Sequence, residues 1–165
     1  MKKSVPKPSA KYSVLDVANH LIKLSDEVGE PLTNMKLQKL LYYSYAWYLV
    51  EKESLSKLFP EKIVAWQYGP VVVEAYNIYK KYCADIITKA AGKSEKHDLL
   101  ERDVRELIKE VFLAYADKTA IQLMHLTHAE TPWLKTYDAN DLEKVIPDEL
   151  IYQFYLEKKK TSLTE

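Results

Sequence analysis

The sequence has little glycine, a single cysteine and no excess of either sign of charge. Three glycines among 165 residues disfavour a loop-rich sheet protein and favour helices joined by short connections. Cys83 is alone, so an intramolecular disulfide is excluded, which is typical of proteins from a reducing cytoplasm. The 24 basic and 24 acidic residues cancel, whereas a dedicated nucleic-acid-binding domain usually carries a basic excess. We therefore expect no strong nucleic-acid binding.

Long apolar segments are also missing. The most apolar run, residues 40–50, is too short and too rich in tyrosine to span a bilayer. Residues 1–11 contain lysines and prolines but no apolar stretch, so they do not form a signal peptide. We expect a cytoplasmic protein without membrane contact, with a flexible basic arm over residues 1–11 and one domain over residues 12–160.

Helical periodicity dominates the rest of the chain. Apolar residues recur at helical spacing over residues 14–28, with Ser13 as the N-cap and Gly29 as the stop. The segment 33–52 is apolar almost all the way round, so we expect a buried central helix whose tyrosine hydroxyls reach the surface. A capping box opens a short helix at residues 119–122. These patterns predict a mainly α fold, a compact single-domain bundle of about six helices.

The Gly69-Pro70 pair predicts a sharp break in the backbone. Glycine tolerates positive φ, and proline suits the first position of a helix, so we expect a third helix from Pro70. Residues 57–59 and 63–66 are predicted to pair as a very small β-hairpin before this turn. Cys83 continues the apolar stripe of the third helix and is expected to be a small core residue.

Catalytic and metal sites have weak support in the sequence. His125, His128 and Glu130 could supply metal ligands, but they do not form the His-Glu-x-x-His arrangement of zinc hydrolases. A nucleophilic pair of Cys83 with a histidine would need an exposed, electropositive thiol. We therefore expect no enzyme, no cofactor and no bound metal.

Four separated motifs resemble one known family. They are residues 33–43 (TNMKLQKLLYY), 58–59 (LF), 65–71 (AWQYGPV) with Glu74 and Tyr76, and 126–133 (LTHAETPW). In this order and spacing they resemble the Panacea antitoxin domain, the family of SocA-like and phage-associated GepA-like proteins, over residues 14–155.

The resemblance implies an antitoxin of a type II toxin–antitoxin system, which neutralises a cognate toxin by direct protein–protein binding that occludes the active site or substrate channel. SocA-like members are also described as adaptors that deliver the toxin to a protease. Many relatives carry an extra DNA-binding domain for regulating their own operon. Here the matching region fills the chain, so that third role is disfavoured.

The resemblance also implies the partner. Relatives face nucleotide-transferring toxins of the alarmone-synthetase type, among others, and nothing in these residues selects one toxin or excludes a higher-order toxin–antitoxin oligomer. The family motifs fall on Leu37, Gln38, Lys39, Tyr42, Trp66, Tyr68, Gly69, Pro70, Thr127, His128, Pro132 and Trp133.

Seven of these motif residues are our candidates for contact with the partner. Trp66 and Trp133 are large enough to be simple core residues, which is the competing interpretation. Packing explains the polar members less well, so they are expected either to link the second helix to the exit of the fifth or to touch the toxin. The seven candidates are Gln38, Lys39, Tyr42, Trp66, Tyr68, His128 and Trp133.

Overall fold

A computed structural model describes residues 10–52, 56–91 and 99–164 of the chain. Within these ranges the elements are α1 (Val14–Val28), α2 (Asn34–Glu51), β1 (Ile63–Trp66), β2 (Gly69–Val72), α3 (Val73–Tyr79), α4 (Arg102–Tyr115), α5 (Ala120–His128), α6 (Thr131–Leu134) and α7 (Asp148–Thr164). The mainly α fold with at most a very small hairpin is confirmed. Residues 1–9, most of the predicted basic arm, lie outside the described residues, so the division into arm and domain stays a prediction.

Two helix starts follow directly from local sequence. At α1 the Ser13 side chain accepts from the Asp16 N–H, and the Asp16 side chain accepts from the Ser13 N–H. Gly29 ends the helix in the left-handed region, at φ 76°. Thr119 and Gln122 form the same reciprocal cap at α5. These caps satisfy backbone donors that a helix start otherwise leaves without partners.

The central helix of the fold is α2. It packs against α1, α4, α5, α7 and β2, and from Asn34 to Val50 only Met35 and Trp47 are partly exposed. The prediction of a buried central helix is confirmed. The prediction that its tyrosines place their hydroxyls at the surface is wrong for Tyr42 and Tyr43, which are 1% and 0% exposed. Their hydroxyls lie near the buried carboxylate of Glu130, described below.

The hairpin differs in detail from the sequence prediction. β1 pairs antiparallel with β2, so that Trp66 lies opposite Gly69 and residues 67–68 form the loop. Pro70 is therefore a strand residue, and α3 begins three residues later at Val73. Ala65, opposite Pro70, donates its N–H to the Lys144 carbonyl, so the missing N–H of proline costs no bond across the hairpin.

The segments flanking the hairpin also correct the prediction. Leu58 and Phe59 are fully buried core residues and do not pair with β1; the outer edge of β1 instead meets Lys144 and Ile146. Cys83, expected in the core, is exposed at the end of a short 3-10 turn. Because α3 ends at Tyr79 and a 3-10 turn follows over residues 80–82, Cys83, with φ 53°, no longer continues the helical stripe. No helix in the described ranges has the length and apolar character that crossing a bilayer requires.

Candidate partner-binding groove

A single groove collects four of the seven candidate residues. Its volume is about 460 Å³, and it lies between the start of α2, the hairpin and α3. The candidates that line it are Gln38, Lys39, Trp66 and Tyr68, together with Asn34, Met35, Val71, Tyr76, Lys80 and Cys83. We call this feature the hairpin groove.

The floor of the hairpin groove is held by side chains of α2. Gln38 is 1% exposed; its Oε1 accepts from the Val72 N–H at 3.0 Å, and its Nε2 donates to Asn34 Oδ1 at 3.0 Å. Asn34 Nδ2 then donates to the Tyr76 carbonyl at 3.2 Å. Both side-chain amides are thereby fixed, and they join α2 to the end of β2 and to α3. Gln38 therefore supports the floor of the groove, and its contact with a partner stays a prediction.

Lys39 lies beside Gln38 and is equally buried. Its Nζ donates to the Pro70 carbonyl at 3.1 Å. A side chain on Gly69 would place its Cβ 2.7 Å from Lys39 Cε and 2.8 Å from Thr127 Oγ1. Gly69 also has φ 107°, so glycine is required both for the backbone and for the close approach of Lys39. Burial lowers the pKa of Lys39 to about 7, because the charged form loses its hydration.

Aromatic side chains form the walls. The Trp66 ring meets the Tyr76 ring edge-on, with centroids 4.9 Å apart, and Trp66 Nε1 donates to the Leu142 carbonyl at 3.0 Å. Tyr68, in the hairpin loop, is 58% exposed. Lys80 and Cys83, which also line the groove, are exposed at its rim. A ring so exposed at the mouth of an apolar groove is typical of a recognition surface.

Trp133 and His128 lie behind the hairpin, not in the groove. The Trp133 ring stacks between His128 and Tyr137, with centroid distances of 4.0 Å and 4.7 Å. Its Nε1 donates to the Trp66 carbonyl at 2.8 Å. Burial lowers the pKa of His128, nearby Lys39 adds to this, and a hydrogen bond with the Gln67 backbone opposes it. This stack braces the hairpin from the rear.

Tyr42 belongs to a buried cluster around Glu130. The sequence did not indicate that Glu130 lies in the core. The Tyr155 hydroxyl donates to both carboxylate oxygens of Glu130, at 2.8 and 2.7 Å. The Tyr42 and Tyr43 rings lie edge-on to Tyr155, with centroids 6.1 and 6.3 Å away. Burial raises the pKa of Glu130, and the bond from Tyr155 opposes that shift. The cluster ties α7 to α2 at the α5–α6 junction.

The three residues considered as metal ligands lie in different environments. His125 is exposed on α5, His128 is stacked on Trp133, and Glu130 accepts from Tyr155 in the core. Within residues 10–52, 56–91 and 99–164, no group of three or more His, Cys, Asp or Glu side chains is arranged to hold a metal ion.

Further groove residues could have been found from spacing. Asn34 precedes Gln38 by four residues, and Lys80 follows Tyr76 by four. Residues at this spacing lie on the same face of a helix. Cys83 could not be placed by periodicity, because the chain departs from the helix before it.

The architecture is that of a small helical protein, built on a buried tyrosine-rich helix, that presents one aromatic groove. Comparison with known proteins gives the family. The family model described as "Antitoxin SocA-like, Panacea domain" matches residues 37–134, and the chain belongs to this family. It is also 32% identical over 127 residues to "Antitoxin SocA" from Caulobacter vibrioides (strain NA1000 / CB15N), an alignment that covers 71% of this chain. The alignment covers 66% of that relative, and no solved structure matches the chain.

Proposed function

We propose that the chain is an antitoxin that neutralises a cognate toxin by direct protein–protein binding, with the hairpin groove as the contact surface. The observation that carries the proposal is the convergence of Gln38, Lys39, Trp66 and Tyr68 on one groove with an exposed aromatic rim. The family description supports the antitoxin role, and the groove geometry supports the location.

Neutralisation of this kind requires no catalytic chemistry in the antitoxin. It requires a rigid surface that covers the active site or substrate channel of another protein. The groove meets this requirement because its floor amides are hydrogen-bonded and its wall ring is fixed by the Leu142 carbonyl. Preorganised aromatic anchors are efficient, because few rotamers are lost on binding.

Co-expression tests the proposed function. The toxin is taken to be the product of the adjoining reading frame, and cells expressing it are compared with and without this chain. We expect growth to be rescued and the two proteins to co-purify. Rescue without a stable complex would favour delivery of the toxin to a protease, and failure of rescue would reject the antitoxin role for that pair.

A matched pair of surface substitutions tests the location. Tyr68 is 58% exposed at the groove, and Leu113 is 55% exposed on α4, outside the groove lining. Aromatic hot spots cost about 2 kcal/mol or more on truncation, so Tyr68→Ala is expected to weaken toxin binding ~30-fold. Leu113→Ala should leave the Kd unchanged, as measured by titration calorimetry. Equal effects of the two substitutions would remove the groove from the proposal.

A further inference from the structure

Among the described residues, the buried amine of Lys39 in the floor of the hairpin groove has no carboxylate partner. Lys39 is 1% exposed, and among the described residues its Nζ has one acceptor, the Pro70 carbonyl. An ammonium group has three N–H donors, so its capacity is not filled. The lining residues that the structure describes include no aspartate or glutamate. A buried charge in this state is costly unless a partner supplies the missing acceptor.

A second buried lysine of the same helix provides the contrast. Lys36 is 7% exposed, and its Nζ donates to the Ala116 carbonyl on the side of α2 that faces α4. Burial lowers the pKa of Lys36, and the nearby carboxylates of Glu30 and Asp117 oppose that shift. Lys39 receives no such support, since burial is the sole cause of its lowered pKa. The two lysines therefore differ in charge compensation, and the uncompensated one lies in the groove.

We propose that the hairpin groove receives an acidic side chain, aspartate or glutamate, of the toxin, and that Lys39 is the cation with which this carboxylate pairs. The inference rests on the proposed function and adds the chemistry of the partner. The Trp66 and Tyr76 rings line the groove, and an apolar lining strengthens an ion pair by lowering the effective dielectric constant. The exposed Lys80 at the rim carries the same sign of charge and steers the acid inward.

Pairing of this kind makes affinity depend on pH. A bound carboxylate favours the ammonium form, so binding raises the pKa of Lys39 above its free value of about 7. The affinity for the toxin is then highest at pH values below the free pKa of Lys39. It falls as the pH rises through that pKa, by about tenfold between pH 7 and 8.5. The other titratable groups at the site are Tyr68, Tyr76, Lys80 and Cys83 in the lining and His128 behind Lys39.

The test measures the Kd of the full chain for the toxin encoded beside it, at pH 7 and 8.5. Wild type should bind about tenfold more weakly at the higher pH. Lys39→Met should bind more weakly at pH 7 and lose this pH dependence, whereas Lys36→Met should retain it. Cys83→Ser should also retain it, which separates the thiol from the lysine. Circular dichroism and thermal melts confirm that each variant is folded.

Several results would overturn the inference. Wild-type affinity that does not change between pH 7 and 8.5 rejects it, as does an unchanged pH dependence in Lys39→Met. If Lys39→Met does not fold, each toxin Asp or Glu is replaced by Asn or Gln in turn. One of these toxin replacements must then abolish the pH dependence of the Kd. If none of them does, the pairing is rejected. If wild type does not bind at all, the proposed function fails; if it binds without these effects, only the lysine–carboxylate pairing fails.

Discussion

Gly69 offers a sharp test of how the groove is built, because the chain contains a matched control. Both Gly69 and Gly29 have positive φ, at 107° and 76°. A Cβ on Gly29 would meet no atom within 4 Å, whereas one on Gly69 would lie 2.7 Å from Lys39 Cε and 2.8 Å from Thr127 Oγ1. Replacement by alanine therefore imposes backbone strain at both sites but steric overlap at only one.

The expected magnitudes follow from these two costs. A left-handed conformation costs a non-glycine residue about 1–2 kcal/mol, so Gly29→Ala should lower the free energy of unfolding by about that amount. Overpacking adds about 1–3 kcal/mol, so Gly69→Ala should be destabilising by that further amount. In a chain of this size each kcal/mol lowers Tm by roughly 2–4 °C.

Urea denaturation at neutral pH measures the difference. The midpoint should fall further for Gly69→Ala than for Gly29→Ala, with the slope against urea unchanged. The overlap also displaces Lys39, so only Gly69→Ala should weaken toxin binding. Equal midpoints for the two variants would refute the close approach of Lys39 and Thr127 to the hairpin.

Two further predictions concern the tyrosine cluster. Tyr155→Phe removes the hydroxyl that donates to both oxygens of Glu130, and a bond to a charged group contributes about 1.5–3 kcal/mol, so unfolding should be easier by that amount in urea. A loss below 0.5 kcal/mol would contradict a buried, hydrogen-bonded carboxylate. Glu130→Gln tests the charge itself. Because the folded pKa of Glu130 is raised above its ordinary value of 4.5, its stabilising contribution is complete below that value and is lost as pH rises through the folded pKa. Wild type should therefore gain stability relative to Glu130→Gln as pH is lowered from 7 towards 4.5, and parallel pH profiles would contradict this.

Local rules predicted the parts of the fold that depend on near neighbours. The caps at Ser13 and Thr119 and the stop at Gly29 each involve residues within one turn, so the sequence contains all that is needed. The predicted helix start at Pro70 was wrong, because proline is also tolerated in a strand opposite a residue whose N–H bonds elsewhere. That bond, from Ala65 to Lys144, joins distant parts of the chain and has no local signature.

The motifs named candidate residues for the site but not where these residues lie relative to one another. The motifs supplied Gln38, Lys39, Trp66 and Tyr68, which meet in one groove. A family motif also named His128 and Trp133, but these two residues lie behind the hairpin. A motif alone does not distinguish residues of a contact surface from residues that support it. Glu130 was considered only as a metal ligand. The burial of a charged residue among tyrosines from distant helices has no signal in the local sequence.

Both long edges of the hairpin are already occupied. On the β1 edge, the Ala65 N–H donates to the Lys144 carbonyl and the Ile63 carbonyl accepts from the Ile146 N–H. On the β2 edge, the Val72 N–H donates to the Gln38 side chain and the Pro70 carbonyl accepts from the Lys39 side chain, both on α2. A toxin is therefore not expected to dock here by adding its own strand, a common mode of peptide capture. Specificity at this face would be encoded in side-chain chemistry, so relatives could change partners by point substitution around a constant backbone. The same occupancy protects two short strands from edge-to-edge self-association.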